Sequence, residues 1–252
     1  MLLAYTIHVS LSNMARARRR EQHPIGGFAP WADLEAARPQ VTRQRIVQAA
    51  LEVLEEDGFD GLTMRRLAER LGIRAASLYN HVSDKDELLA LMADAICSEI
   101  PDLDHAKPWR RQLETMARQV RRALTAHRDG ARVLAATPPV GPHRFRLIEQ
   151  LLCTLQSAGF ASAIIADAAF VMNSYVVGFV LDETLGQPRD AASAKRRREE
   201  GRRWFKSLPN NKYPTLIALA DELIDSPANR RFELGMRALL DGFELRLSKK
   251  RK

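Results

Sequence analysis

Residues 62–89 read LTMRRLAERLGIRAASLYNHVSDKDELL, and this stretch decides the fold. Its first apolar residues recur at the three- and four-residue spacing of one helix face, at Met64, Leu67, Ala68 and Leu71. Thr63 stands before this face as a potential helix cap, and Gly72 follows it where a helix would end. A short helix over residues 75–82 is predicted close behind the glycine. Two helices joined by so tight a turn predict a helix-turn-helix.

Two further helices are predicted on either side of this motif. The first follows Thr42, a potential cap, and is expected to end at Gly58; its apolar face comprises Ile46, Ala49, Ala50, Val53 and Leu54. Behind the motif, Ser83 and Asp86 resemble a capping box that would start another helix. Residues 41–90 are therefore predicted to form a small helical domain.

Residues 91–248 are predicted to form a larger helical domain. Amphipathic patterns cover residues 88–96, 113–124 and 148–155. Residues 163–181 are apolar nearly all round, which predicts a helix buried on several sides, in a core and a subunit interface. Its uncharged run, residues 168–181, is shorter than the roughly 20 residues that span a bilayer, so we expect no membrane contact.

The last helix of this domain carries a narrow apolar seam. Its residues recur at spacings of three and four, at Phe232, Met236, Leu239, Leu240, Phe243 and Leu247. Such a seam suits helix packing between two subunits, so we expect a homodimer.

The remaining segments are predicted to lack fixed structure. Residues 186–214 are rich in charge and contain three prolines, which predicts a mobile loop. Residues 1–40 show no sustained period and predict a disordered, basic, Pro- and Gly-containing extension, in which Met14 is an alternative start. Residues 249–252 form a basic tail. The predicted fold class is all-α.

The net charge of +8 does not by itself indicate a nucleic-acid partner. Residues 41–90, where the helix-turn-helix lies, contain 7 Lys/Arg against 9 Asp/Glu. The positive surplus lies in residues 16–20, 195–206 and 249–252. Such runs are either solvated or DNA contacts, and the sequence leaves both interpretations open.

Sequence motifs of the common enzyme classes are missing. There is no Gly-x-Ser-x-Gly, no phosphate-binding glycine loop, no dinucleotide fingerprint and no Cys or His pair with zinc spacing. Cys97 and Cys153 fall within apolar helical patterns, which indicates buried thiols in a reducing cytoplasm. No secretory signal is recognisable. We therefore expect a cytoplasmic protein without catalytic residues, metal or cofactor.

The motif resembles the DNA-binding domain of the tetracycline-repressor family. The resemblance is carried by Thr63, Leu67, Ala68, Gly72, Leu78, Tyr79, His81, Lys85, Leu88 and Leu89. It continues through residues 127–133 (HRDGARV), 137–139 (TPP), 159–160, 178–183 and 239–244, and so covers about residues 41–247. It implies an all-α fold with a three-helix DNA-binding domain and a larger domain that dimerises through a four-helix bundle. It also implies a repressor that a small-molecule inducer releases from double-stranded DNA.

The resemblance also assigns the DNA contacts. The helix over residues 75–82 would enter the major groove of a near-palindromic operator. Arg65 would bond a guanine, with a solvated arginine as the alternative, and Lys85 would bond a phosphate. Tyr79 would touch the DNA backbone, unless it fills the core. The full predicted set is Thr42, Arg43, Thr63, Arg65, Ala75, Ala76, Ser77, Tyr79, Asn80, His81 and Lys85.

The inducer pocket is implied in the same way. Its predicted lining is Met116, Val120, Leu134, Thr137, Leu151, Leu155 and Met172. The tetracycline repressors place a magnesium-ligating histidine where Leu134 stands, and polar anchors where residues 98–101 and Met116 stand. Thr137, Asp182 and Glu183 leave a water-mediated metal contact open. We expect an uncharged or weakly polar, mainly apolar ligand rather than magnesium-tetracycline. A helical ligand-binding protein that no longer regulates through DNA is the alternative.

Overall fold

The structure is a computed structural model that describes residues 41–185 and 190–248, and the regular structure of these residues is entirely helical. This confirms the all-α class. The described helices are α1 (Arg43–Gly61), α2 (Met64–Leu71), α3 (Ala75–Leu78), α4 (Lys85–Ser98), α5 (Trp109–Ala126), α6 (Gly130–Ala135), α7 (Pro142–Ser157), α8 (Ser162–Thr184), α9 (Ala191–Lys206), α10 (Pro214–Ala218), α11 (Ala220–Asp225) and α12 (Ala228–Ser248). The expectations for residues 1–40, including Arg16–Arg20 and Met14, and for 249–252 lie outside the described residues.

The caps of the first two helices are those that the sequence predicts. The Thr42 hydroxyl accepts the Arg45 N–H at 3.2 Å, and the Thr63 hydroxyl accepts the Arg66 N–H at 3.1 Å. Gly72 ends α2 with φ 66°, a left-handed conformation that glycine adopts without steric cost. These caps fix where α1 and α2 begin and where the turn between α2 and α3 lies.

Three boundaries of the small domain differ from the prediction. Gly58 bends α1 instead of ending it: its φ of 75° and ψ of −179° break the helical path, yet the helix continues to Gly61. The helix predicted over residues 75–82 stops at Leu78, because the chain must turn between the fully buried Leu78 and Val82 to reach α4. The predicted domain end at residue 90 falls inside α4, which runs unbroken to Ser98.

The capping box of α4 is shifted by one residue from the predicted pair Ser83 and Asp86. Asp84 is the cap, and its carboxylate accepts the Glu87 N–H at 2.7 Å. The Glu87 carboxylate reaches back to the Ser83 N–H, also at 2.7 Å. Both carboxylates lie at the positive end of the helix, which favours them over the neutral serine hydroxyl.

Two apolar clusters build the interior. The first joins α1–α4 to α6 and α8, with Ile46, Leu54 and Leu67 on one side and Val133 and Val180 on the other. The second joins α5, α7, α8 and α12; it includes Leu113, Met116, Leu155, Met172 and Phe232. Partly buried Val120 packs against both clusters. The first cluster thus gives the small domain and part of the larger one a common core.

The predicted loop over residues 186–214 is wrong for its central part, which forms α9. The Asp190 carboxylate caps this helix by accepting the Ser193 N–H at 2.8 Å. Arg202 then holds α11 by donating to Asp221 at 2.6 Å and Asp225 at 2.5 Å. None of the residues of α9 is buried, so no apolar face marks this helix in the sequence. Residues 186–189 lie outside the described part of the chain.

Helix α8 is longer and more exposed than predicted. It spans 23 residues with a mean hydropathy of 1.8, so by length and composition it could cross a membrane. The expectation that this stretch is too short to span a bilayer is therefore wrong. Only 28% of its most apolar window is buried within the chain, and Phe170 is 56% exposed. A single chain therefore buries one side of α8, and burial of the other side in a subunit interface stays a prediction. One side of α8 packs on α5, α6, α7 and α12, and the other is open.

The predicted seam of α12 is divided between two environments. Phe232, Met236 and Leu240 are buried in the second apolar cluster of their own chain, so they cannot form a contact between subunits. Leu239, Phe243 and Leu247 are only half-buried. The expectation of one continuous intersubunit seam is wrong, because the buried residues hold α12 against α5 and α8.

Candidate DNA interface and ligand pocket

The outer face of α2 and α3 carries most of the predicted DNA contacts. Exposed members of the set are Thr42, Arg43, Thr63, Arg65, Ala75, Ala76, Ser77, Tyr79 and Asn80; His81 and Lys85 are half-buried. Tyr79 is 51% exposed, whereas its neighbour Leu78 is fully buried and supplies the core contact. Tyr79 is therefore not a core residue. The single turn of α3 presents small side chains around it, so another surface can approach the backbone closely.

Arg65 is the arginine of α2 that points away from the rest of the domain. Its side chain is 88% exposed and contacts only the neighbouring helix position Glu69, at 3.0 Å. Arg66 instead binds Asp57 at 2.7 Å, and Arg70 binds Glu56 at 2.7 Å, so both tie α2 to α1. An exposed i,i+4 pair contributes only about 0.3–0.5 kcal/mol, so Arg65 can exchange Glu69 for another acceptor.

Eight of the nine acidic residues of this domain form hydrogen bonds or ion pairs within the chain. Five of them bind arginines on α2, α6 or the loop before α6: Glu52, Glu55, Glu56, Asp57 and Asp60. Arg132 on α6 holds the pKa of Asp60 below its usual range through a hydrogen bond and its charge. Glu52, Glu56 and Asp57 lie at the junction of α1 with α2, away from the exposed face of α2 and α3.

Arg43 and Lys85 already have partners within the domain. Arg43 donates to the His81 carbonyl at 3.1 Å and to Glu87 at 3.0 Å, which fastens the start of α1 to the turn before α4. The Lys85 ammonium lies 5.3 Å from the centre of the Phe59 ring. These contacts place both cations at the rim of the face formed by α2 and α3. Exposed Arg74, at the cap position of α3, is a further cation of this face that the sequence prediction missed.

A junction between α1 and α6 links the two halves of the chain. Arg128 donates its backbone N–H to the Glu55 carboxylate at 2.6 Å, and its Nη1 donates to the carbonyls of Glu55 and Glu56 at 3.0 and 2.7 Å. Both carbonyls precede the bend at Gly58, and the Phe59 N–H that would bond the Glu55 carbonyl in a regular helix bonds Asp129 instead. A Cβ at Gly58 would lie 2.8 Å from Arg128 Nη2, so both the bend and this contact require glycine.

The predicted pocket residues lie where the two apolar clusters meet. Leu134 belongs to the first cluster, Val120 packs against both, and the second contains Met116, Leu151, Leu155 and Met172. Thr137 is half-buried behind α6. Two surface cavities of about 300 and 320 Å³ lie elsewhere, and neither is lined by any of these seven side chains. The predicted lining is therefore divided between the two clusters, and neither of these two cavities lies at it.

Two buried polar groups near this lining were not predicted. Arg144 is 8% exposed, and burial lowers the pKa of its guanidinium. Its Nη1 donates to Thr137 Oγ1 at 2.7 Å and to the Pro138 carbonyl at 2.8 Å. On α5, Gln119 Oε1 is buried without a hydrogen-bond donor. The spacing of apolar residues along these helices does not predict buried polar groups, because their burial depends on how α5, α6 and α7 pack.

Comparison with known proteins decides what this arrangement is. Residues 46–92 match the family model of bacterial regulatory proteins of the tetR family, and residues 101–247 match that of the tetracyclin repressor-like C-terminal domain. The class A tetracycline repressor from transposon 1721 of Escherichia coli is 34% identical over 206 residues, covering 80% of this chain and 89% of that protein. ActR from Streptomyces coelicolor, solved in complex with actinorhodin, has 34% identity and a TM-score of 0.69, covering 80% of this chain and 94% of that one.

The chain belongs to the tetR family. It is a DNA-binding transcriptional regulator of that family, and α2 and α3 are its helix-turn-helix. The resemblance seen in the sequence is thereby confirmed. The apo form of ActR has a TM-score of 0.71 and 31% identity, covering 89% of this chain and all of that one.

Two of the three metal-binding positions that the sequence left open, Thr137 and Glu183, have other partners in this tetR-family chain. Glu183 forms a two-pronged ion pair with Arg121, with distances of 2.8 and 2.5 Å. The Thr137 hydroxyl accepts a hydrogen bond from the Arg144 guanidinium. A metal ion that approached this hydroxyl would therefore meet a cation. Asp182 is exposed. Across the described ranges, no group of three or more His, Cys, Asp or Glu side chains could hold a metal.

Proposed function

We propose that this tetR-family protein is a homodimeric repressor that binds a near-palindromic operator and is released by a small molecule other than magnesium-tetracycline. The observation that carries the proposal is the face formed by α2 and α3. It exposes Arg65, Tyr79 and Asn80. Glu69 pairs weakly with Arg65 on this face, while Asp57 and Glu56 bind Arg66 and Arg70 where α2 meets α1. A surface of this shape and charge fits the major groove of DNA.

The dimer is supported by the open side of α8. Phe170 and Val171 are exposed there, and a groove of about 320 Å³ between α8 and α12 is lined by apolar groups including Val171, Leu239 and Phe243. Asp167 and Arg246 also line this groove, and charged groups are costly against lipid. We therefore assign this face to a second copy of the chain. Two-fold symmetry would then present two recognition helices to two half-sites.

The exclusion of magnesium-tetracycline is supported by the contacts of Leu134, Thr137 and Glu183. Leucine has no metal-binding atom, the threonine hydroxyl faces a guanidinium, and the glutamate is paired with Arg121. A magnesium ion prefers several oxygen ligands in a near-ideal octahedral arrangement. We assign the protein no catalytic role and place it in the cytoplasm, as befits a regulator that binds chromosomal DNA.

Footprinting tests the proposal. Purified protein should protect a near-palindromic segment upstream of its own gene when no ligand is present. The absence of a footprint together with retained small-molecule binding would favour the alternative, a ligand-binding protein that no longer regulates through DNA.

A further inference from the structure

Arg144 is a buried cation whose hydrogen-bond acceptors are both neutral. The residue lies in the first turn of α7 and is 8% exposed. Its Nη1 donates to the Thr137 hydroxyl and to the Pro138 carbonyl. Within residues 41–185 and 190–248, no hydrogen bond engages its Nη2 or Nε. A guanidinium carries five N–H donors, and those of Nε and Nη2 are not among the buried atoms without a partner, so they border solvent-accessible space rather than the closed core.

No neighbouring group neutralises this charge by direct contact. The described residues place no carboxylate within ion-pair distance of the guanidinium. Asp94 on α4 attracts it from farther away, but the Asp94 Oδ1 accepts the backbone N–H groups of His143 and Arg144, each at 2.9 Å. Burial raises the pKa of the nearby Cys97 thiol to about 11, so this thiol is neutral at pH 7. A buried charge without a paired partner is energetically unfavourable.

The position of Arg144 joins it to the proposed ligand pocket. Thr137, which accepts its hydrogen bond, is one of the seven predicted lining residues. The Thr137 hydroxyl in turn lies 3.2 Å from the carbonyl of Leu134, another of the seven. The other six lining side chains are Met, Val or Leu, so Thr137, with Arg144 beside it, provides the polar groups at the α6 end of the site.

We propose that Arg144 binds an anionic oxygen group of the inducer, a carboxylate on an otherwise apolar body. This rests on the proposed release by a small molecule. The unused edge of the guanidinium can hold two carboxylate oxygens, which matches the planar fork that arginine offers. The apolar body would lie against Leu134 and Val120, where the two clusters meet. The proposal replaces the expectation of an uncharged ligand, which did not take Arg144 into account.

A matched pair of probes tests the charge preference of the native protein. We would titrate the full chain with 2-naphthoic acid and with methyl 2-naphthoate by calorimetry at pH 7. The two probes share an apolar body and differ in the negative charge. The acid is expected to bind at least about tenfold more tightly than the ester. Equal affinities, or no measurable binding of the acid, would overturn the proposal.

A substitution then assigns the preference to the residue. Arg144→Gln should lower the affinity for the acid about tenfold or more and leave that for the ester unchanged. Arg122→Gln, which makes the same charge change at an exposed position of α5, should alter neither. A preference that persists in Arg144→Gln would place the anion elsewhere and overturn the proposal.

DNA binding separates this proposal from the proposed function. Arg144→Gln should still give the footprint of the native chain when no ligand is present, because Arg144 lies outside the DNA face. If the native chain gives no footprint, the repressor proposal fails. If it gives a footprint but does not prefer the acid, only the anionic anchor fails. If Arg144→Gln does not fold, the acid and ester titration of the native chain decides.

Discussion

The backbone N–H of Phe59 donates a 2.8 Å hydrogen bond to the carboxylate of Asp129, and this bond joins the last turn of α1 to the start of α6. Asp129 has φ 55°, and among the non-glycine residues of the described ranges it is the one with a positive φ. Such a conformation costs an ordinary side chain about 1–2 kcal/mol, whereas Asp and Asn tolerate it better. The junction therefore combines a turn that few residues accept with a hydrogen bond that needs an acceptor.

Asp129→Ala should destabilise the protein by about 1–3 kcal/mol, because the Phe59 N–H loses its acceptor and alanine disfavours this backbone conformation. Asp129→Asn is the matched control, since asparagine keeps an acceptor oxygen and tolerates the conformation. Urea unfolding at pH 7 measures both free energies of unfolding. A loss in Asp129→Ala no larger than in Asp129→Asn would contradict the structural role given to this junction.

Arg65→Ala should reduce discrimination between the operator and a single-base variant by about 1–3 kcal/mol, the contribution of a two-pronged guanine contact. Arg66→Ala is the control on the same helix, because Arg66 binds Asp57 instead of facing the groove. It should leave discrimination unchanged. Competition gel shifts with both DNAs measure the ratio of the two affinities. Equal ratios in the native chain and Arg65→Ala would show that Arg65 is a solvated arginine without a base contact.

Lys85→Ala should weaken binding to all DNA sequences alike and lower the salt slope of the binding constant by about 1, because one phosphate contact is lost. Affinities would be measured for operator and unrelated DNA over a range of salt concentrations. A selective loss for the operator would instead indicate that Lys85 contacts a base.

Val171→Glu should dissociate the proposed dimer, because it places a carboxylate in the α8–α12 groove beside Asp167. Sedimentation at micromolar concentration should move from about twice the chain mass of 28.4 kDa towards that mass. Gln48→Glu, at an exposed position of α1, makes the same charge change and should leave the mass unchanged. A native chain that sediments as a monomer would refute the dimer itself.

Magnesium-tetracycline at micromolar concentration should neither bind nor release the protein from DNA. Trp109 packs edge-on against Phe160, with 5.3 Å between ring centres, at the border of the second apolar cluster. Its fluorescence in a Trp31→Phe, Trp204→Phe background should report ligands that enter that cluster. Quenching of the Trp109 fluorescence by magnesium-tetracycline, together with loss of the DNA complex, would show that this compound is an inducer and contradict its exclusion.

The parts of the fold that the sequence predicts are those with short-range causes. Thr42, Thr63 and Gly72 act on helical turns next to them in the chain, so their roles follow from position alone. Helix α9 was missed because its charged residues conceal a helix that Asp190 caps and that Arg202 holds against α11. Those ion pairs join residues about twenty positions apart, and a pattern of apolar residues does not contain them.

The residues of the candidate sites were likewise predictable where the cause is local and not where it is a contact between distant helices. The exposure of Arg65 and Tyr79 agrees with their predicted places on the helix-turn-helix, because a helical face determines exposure. The burial of Arg144 and the pairing of Glu183 with Arg121 depend on contacts between distant helices. Arginine is usually a surface residue, so no pattern of residue types predicts a buried one inside the larger domain.

The common core that α1–α4 share with α6 and α8 limits how this protein can be rearranged. A fragment cut at residue 90 would sever α4 and expose the buried faces of Leu88, Leu89 and Met92. A chimaera that takes its DNA-binding domain from a relative would also need that relative's α6 residues, or residues that pack equally well, to complete this core. The small domain is therefore not an interchangeable module. Heat or urea should unfold it together with α6 in a single cooperative transition.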